Sequence, residues 1–315
     1  MSNIPWVHIN EHAKDALNYI DGRRKGIIKS LLTPWTTLNN ELLNGLEWRS
    51  VVMLCGNSGA GKTAISDQIT DESFKLNPTQ DYAVLKLQFE MLGRSAVMRN
   101  ISGGVGKDLK TLSSAFSPIS DEDYEEIKSY VTDFTTNNDI YIIDVPLNVV
   151  LIEKAIADFA AFIKKPFIIQ LDHTMLVERS VEADEWGVIR NLGKLLIKTK
   201  KLYDIIWLVL NQFNSEFEKD DRQKPNQLSA YPMKKDIYGG GLGYAASDCV
   251  MALNKPSMYL PLGSYYGPKA NQLVVTDKLL VIHVLKNRVG ESNGLLIFDA
   301  AFEQMKIIEA KIRRI

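Results

Sequence analysis

The sequence predicts an α/β domain with a mainly parallel sheet flanked by helices and a C-terminal antiparallel β extension. Three observations predict it. Short apolar runs at 51–55 and 205–210, and a third at 167–171 broken only by Gln170, alternate with stretches whose apolar residues recur at helical spacing. The first run leads straight into Gly56-Asn57-Ser58-Gly59-Ala60-Gly61-Lys62-Thr63, the order strand, glycine-rich loop, helix that a phosphate-binding P-loop requires. Beyond residue 247 the chain turns to β segments with no helical stretch between them.

The elements follow in order. Residues 8–22 place Ala13, Leu17 and Ile20 on one helical face, Gly22 reads as its stop, and Arg23-Arg24-Lys25-Gly26 reads as a cationic hinge. The expected division is therefore an N-terminal linker helix and hinge over 1–30, packing on a neighbouring subunit, and one ATPase domain over 31–315. Thr33-Pro34-Trp35 reads as a turn before a short helix, and Gly45-Leu46-Glu47-Trp48 leads into the 51–55 strand. A second strand is expected over 81–89. Residues 93–135 read as a helix, a flexible Gly103-Gly104-Val105-Gly106 stretch and an acidic helix around 121–134. A short strand at 140–144 precedes an amphipathic helix at 151–163. The strand at 166–171 and a helix at 185–203 lead to the strand at 205–210, then to a polar, glycine-rich segment at 214–246. Strands are expected at 248–253, 279–285, 295–298 and 304–308.

Composition excludes several classes. Of 315 residues, 45% are hydrophobic and 24% charged, as in ordinary globular chains. A formal net charge of −1 argues against coating duplex through bulk charge, though not against a local basic channel. The two cysteines, Cys55 and Cys249, sit in or beside apolar runs and read as small buried residues. No apolar run approaches the ~18 residues of a membrane span and no signal pattern opens the chain, so a cytoplasmic location is expected.

The chemistry gathers at strand ends, where open α/β sheets carry their ligands. The loop 56–63 is expected to cradle phosphates through backbone N–H groups, with Lys62 on the β- and γ-phosphates and Thr63 on magnesium. Glu90 follows the second strand and is placed to act as general base toward water. Asp172 ends a buried strand and is the expected magnesium carboxylate, with Asp144 as its rival. Gln212 ends the 205–210 strand, where it can sense the γ-phosphate.

These motifs, in this order, resemble the ATPase domain of the DnaB-type replicative helicases, a RecA-like P-loop NTPase core of superfamily 4. The P-loop at 56–63 looks like the family's own. Leu87-Gln88-Phe89-Glu90-Met91 resembles its Ser-Leu-Glu-Met stretch, whose glutamate is the base. Ile168-Ile169-Gln170-Leu171-Asp172-His173 is similar to its Walker B strand, with His173 where tyrosine is usual. Leu210-Asn211-Gln212-Phe213-Asn214 resembles Ser-Gln-Leu-Asn, and Lys286-Asn287-Arg288 resembles the Lys-Gln-Arg whose basic residues reach the neighbouring subunit's γ-phosphate. The resemblance spans roughly 15–309 and lacks the family's N-terminal helical domain. The family's DNA-contacting loop corresponds to Asp236-Ile237-Tyr238-Gly239-Gly240-Gly241-Leu242, with Tyr238 and Gly239 where arginine and glutamate are familiar. Lys234 and Lys235 can replace that charge, Tyr238 can stack on a base, and the glycine run at 239–241 can hold phosphates through its N–H groups.

The resemblance implies an ATP- and Mg2+-dependent helicase translocating on single-stranded DNA as a homo-hexamer, with a primase or helicase loader as candidate partners and no membrane. If the protein is of phage origin, the compartment is the host cytoplasm. Two other readings stay open. One is a RecA- or RadA-like recombination or loading ATPase acting as a filament, and the other is a scaffold ATPase of the same fold that never touches DNA.

Overall fold

The computed structural model describes residues 6–42, 44–179, 184–239, 241–288, 290 and 294–310. Its strands are β1 (Ser50–Cys55), β2 (Ala83–Gln88), β3 (Ile140–Ile143), β4 (Phe167–Asp172), β5 (Ile205–Asn211), β6 (Cys249–Asn254), β7 (Tyr265–Tyr266), β8 (Leu273–Val274), β9 (Leu279–Asn287), β10 (Leu295–Ala301) and β11 (Lys306–Glu309). Its helices are α1 (Ile9–Arg24), α2 (Thr36–Glu41), α3 (Lys62–Leu76), α4 (Gly93–Val105), α5 (Leu109–Leu112), α6 (Asp121–Asn137), α7 (Val149–Ile163), α8 (Glu185–Leu202) and α9 (Gly241–Ala246).

Nine strands form one sheet in the order β11-β10-β9-β6-β1-β5-β4-β2-β3, and β7 and β8 make a separate hairpin. The strands from β6 to β3 in that order pair in parallel, whereas β9, β10 and β11 extend the sheet antiparallel. This is the expected α/β architecture.

The unbroken apolar runs have a direct cause. Successive strand residues point to opposite faces, and both faces of the central strands are covered. Val52 and Leu54 join a cluster with Ile65 and Ile69 of α3, while Val51, Met53 and Cys55 join Ile152 of α7 and Leu192 and Leu196 of α8. Each such side chain contributes about 1.5–3 kcal/mol relative to exposure, so an alternating polar pattern would not survive here. Trp207 of β5 is fully buried and its indole N–H donates to Thr199 Oγ1 at 2.9 Å. Both cysteines are buried and unbridged, and burial pushes their thiols up, Cys249 to about 12.

Two local expectations are corrected, the stop at Gly22 and the flexible break at Gly103-Gly104. Gly22 does not stop α1, which runs on to Arg24. The chain doubles back there, and a Cβ on Gly22 would lie 2.7 Å from Ile28 Cδ1, so this glycine is present for close packing. The basic hinge is also tied down, because Arg23 pairs with Glu47 at 3.0 Å and Tyr19 donates to the same carboxylate at 3.0 Å. Gly103 and Gly104 are not a flexible break. They continue α4, and a Cβ on Gly104 would overlap the Tyr130 ring of α6 at 2.1 Å, so that glycine lets the helices meet. The polar 214–246 segment, finally, is folded through short 3-10 turns around buried Phe217, Ala230 and Ile237, with Arg222 bidentate on buried Asp236 at 2.7 and 2.8 Å. Among the described residues no helix is long and apolar enough to cross a membrane.

Candidate functional site

The parallel register brings the carboxyl ends of β1, β2, β4 and β5 to one edge. Cys55 lies opposite Asn211, and Gln88 lies opposite Asp172. Everything that follows these positions in sequence therefore emerges side by side.

After β1 the loop 56–61 curls into the N-terminus of α3. Gly61 caps that helix at φ +89, a left-handed conformation that a side chain disfavours, and an added Cβ would meet the Phe302 ring at 2.7 Å. Lys62 Nζ folds over the loop and donates to the carbonyls of Gly56 at 2.7 Å and Asn57 at 3.0 Å. Burial pushes its ammonium below the ordinary lysine range, and the nearby Asp172 carboxylate opposes that shift. A curled glycine-rich loop, a helix N-terminus and a buried lysine are together suited to phosphate oxygens.

Thr63 Oγ1 donates to Asp172 Oδ2 at 2.8 Å. Asp172 is 1% exposed, and burial pushes its carboxyl up to about 6. These residues fit a magnesium ion that is shared with phosphate, since hydroxyl and carboxylate oxygens are hard ligands and magnesium keeps few protein contacts. Gln88, beside Asp172 in the register, is buried with neither amide atom hydrogen-bonded among the described residues, which suits it to a water near the ion. The rival Asp144 is turned elsewhere, because its Oδ2 accepts from the Gly93 N–H at 2.8 Å and caps the start of α4.

The raised carboxyl of Asp172 has a testable sign. The folded state holds a proton up to about 6, whereas the ordinary value is 3.8. Its contribution to stability is therefore fully present below the unfolded pKa and lost as pH rises through about 6. Thermal unfolding of the nucleotide-free protein should show Asp172→Asn melting higher than wild type at about pH 7, with the gap closing near about pH 4. A gap that stays constant across this range would count against the burial cause.

Glu90 follows β2 with an exposed side chain, and its Oε2 lies 3.9 Å from His173 Nε2. The amide nitrogen position of Gln212 lies 3.3 Å from the same ring nitrogen. Asp172, Glu90 and Gln212 are thus neighbours, as their strand-end positions imply, and His173 stands between the last two. Burial holds this imidazole below the ordinary histidine value, against the pull of Glu90. Sequence reasoning noted His173 only as a departure from tyrosine. The available signal was its polarity directly after a strand-ending aspartate. It also missed residues delivered to the P-loop by the C-terminal half: Tyr259 hydroxyl against the Asn57 amide, and Phe302, over which Lys255 Nζ sits at 4.9 Å.

The link from Gln212 to the glycine-rich segment is direct. The Tyr238 N–H donates to Gln212 O at 2.8 Å, and Asn211 Nδ2 donates to Tyr238 O at 3.0 Å. Tyr238 hydroxyl is paired with Glu185. Lys234 and Lys235 are exposed on a 3-10 turn, with Lys234 Nζ 4.8 Å over the Tyr244 ring. Gly239 and Gly241 precede and open α9, while Gly240 lies outside the described residues.

Lys286 and Arg288 are not brought to this chain's phosphate site. They leave the far end of β9, where Asn287 lies opposite Cys249, at the other end of the sheet from the P-loop. Lys286 Nζ donates to the carbonyls of Tyr244 at 2.7 Å and Ser247 at 2.6 Å, holding the end of α9. Arg288 pairs with Asp248 at 3.0 Å and its side chain is 52% exposed.

The comparisons accord with this geometry. A family model described as the DnaB-like helicase C terminal domain matches residues 31–306. No curated protein matches by sequence. Among solved structures, one described as an ATPase domain is similar at 17% identity and a TM-score of 0.79, covering 98% of this chain and all of the other. A DnaB-like replicative helicase, solved in a study of its interactions with primase, is similar at 17% identity and a TM-score of 0.75. That alignment covers 90% of this chain and 64% of the longer one.

Proposed function

This chain belongs to the DnaB-like helicase C terminal domain family, and from that premise we propose that it is an ATP-hydrolysing motor, a hexameric ring of identical subunits translocating on single-stranded DNA. The observation that carries this reading is the cluster at the strand ends. A phosphate cradle, Glu90, Asp172 and Gln212 share one edge, and Gln212 is bonded through its backbone to the segment proposed to hold DNA.

The roles follow from position. The loop 56–61, Lys62 and the N-terminus of α3 bind the phosphates of ATP. Thr63 and Asp172 would hold magnesium, which when bound would neutralise charge on the phosphates. Glu90 takes a proton from water as the water oxygen bonds to the γ-phosphorus. The bond from that phosphorus to the bridging oxygen breaks, and its electron pair leaves with ADP. Arg288 of each subunit reaches the γ-phosphate held by its neighbour, because it cannot reach its own. Lys286 supports it by fixing α9 to β9. When Gln212 responds to the γ-phosphate, the Tyr238 N–H bond carries the displacement to Lys234, Lys235 and the 239–241 glycines, changing their hold on the DNA backbone.

The N-terminal residues over 1–30 serve assembly in this reading. Leu17 and Ile20 of α1 are 66% and 60% exposed, an apolar face suited to the core of a second copy. A primase or a helicase loader is the proposed further partner, and the cytoplasm, of the host for a phage protein, is the proposed compartment.

Steady-state ATP hydrolysis with and without single-stranded DNA, over a range of protein concentrations, tests this. The expected result is turnover per subunit that rises with both. Turnover indifferent to DNA would favour the scaffold reading. Electron microscopy with ATP and DNA separates closed rings from the extended filaments of a recombination ATPase.

A further inference from the structure

Two nitrogens of His173 have different neighbours, and that difference assigns its hydrogen. The backbone N–H of Met175 donates to Nδ1 at 3.3 Å, capping the short 3-10 turn at Thr174–Leu176. Nδ1 is therefore the acceptor, and in a neutral ring the hydrogen sits on Nε2. That Nε2–H faces the Gln212 amide at 3.3 Å and the Glu90 carboxylate at 3.9 Å. Two donors do not face one another, so the Gln212 amide presents its carbonyl oxygen to the ring and turns its NH2 outward. One hydrogen thus has an acceptor at bonding distance on Gln212 and a second, on Glu90, 3.9 Å away and just beyond it, and it can satisfy only one of them well. The ring itself is 7% exposed and cannot turn to water instead.

We propose that His173 is a positioning residue for hydrolysis, whose single Nε2–H is held by Gln212 before the γ-phosphate is sensed and passes to Glu90 when Gln212 turns away. The exchange aims the Glu90 carboxylate only when Gln212 is engaged, so the base is oriented in step with recognition of the phosphate. No proton leaves the ring; one hydrogen bond replaces another. This rests on the assignment of Glu90 and Gln212 given above and adds the element that connects them.

Two variants separate the donor from the cap. Asparagine at 173 can accept from the Met175 N–H as histidine does but places no donor at the Nε2 position. Glutamine reaches the Nε2 position with an N–H but gives up the cap. Full-length assemblies with single-stranded DNA are assayed for kcat and KM of ATP, alongside thermal unfolding. His173→Asn is expected to lower kcat by about 10–100-fold, the scale of a misaimed catalytic group, with KM within about twofold. His173→Gln should recover most of kcat despite a lower melting temperature. In a Glu90→Gln background, His173→Asn should change the residual rate by less than about twofold, since its partner is already gone. Full kcat in His173→Asn, or loss in His173→Gln alone, overturns the inference while leaving Glu90 as base. Wild-type turnover by Glu90→Gln overturns that reading, and this inference with it.

Discussion

Replacing Arg288 with alanine is expected to lower ATP turnover by about 10³–10⁵-fold, the value of an arginine supplied in trans to a transferring phosphoryl group. Nucleotide affinity should be retained, because the loop, Lys62 and Thr63 are untouched. The structure sharpens the reason. Arg288 leaves β9 level with the start of β6, while the P-loop leaves β1 at the opposite sheet end. In the proposed role the residue would therefore serve a nucleotide held by a neighbouring subunit. Its present partners are the half-buried Asp248, which keeps Lys200, and the exposed Ala245 carbonyl, so leaving them costs little. Fluorescent nucleotide titration and steady-state hydrolysis on the same preparation separate binding from turnover. Mixing is the decisive control. Arg288→Ala subunits keep Glu90 and Glu90→Gln subunits keep Arg288, so mixed assemblies contain complete sites and should regain activity. Turnover retained in the pure Arg288→Ala protein, or no recovery on mixing, would remove the trans arrangement.

Glu90→Gln should reduce kcat by about 10²–10⁴-fold, the usual contribution of a positioned base. The amide keeps the size and hydrogen-bonding of the side chain but does not accept the proton from water. Because Glu90 is exposed and its contact with His173 is a long one at 3.9 Å, the melting temperature should move little. Single-turnover hydrolysis, which isolates chemistry from product release, is the appropriate readout. A lowered melting temperature with unchanged single-turnover rate would show Glu90 to be structural, and would return the search for a base to the residues around His173.

The correspondence between sequence and structure is uneven for physical reasons. The parallel strands were legible because burial on both faces favours long apolar runs, which β1 and β5 have and β4 has apart from Gln170, whose buried amide is held by Ser66 and Asp67. The P-loop was legible because its backbone geometry restricts residue types at adjacent positions. Glycines were less readable. Gly22 and Gly104 look like breaks, yet each is present because another element, Ile28 or Tyr130, lies where a Cβ would go. A glycine needed for contact and one needed for a turn are the same letter. The sequence of 214–246 shows only a polar, glycine-rich segment, because its buried residues follow no period, and its order comes from specific bonds such as Arg222 to Asp236.

For this protein the sequence alone determined the fold class, the phosphate cradle and the kinds of side chain that end each strand, since these depend on neighbours within a few residues. Only the tertiary structure decided that Asp172 and not Asp144 meets Thr63, that His173 lies between Glu90 and Gln212, and that Arg288 faces away from its own P-loop. Those outcomes depend on strand order and direction. The placing of β4 between β2 and β5 and the reversal of β9 are set by packing across the whole sheet, beyond the reach of any local pattern.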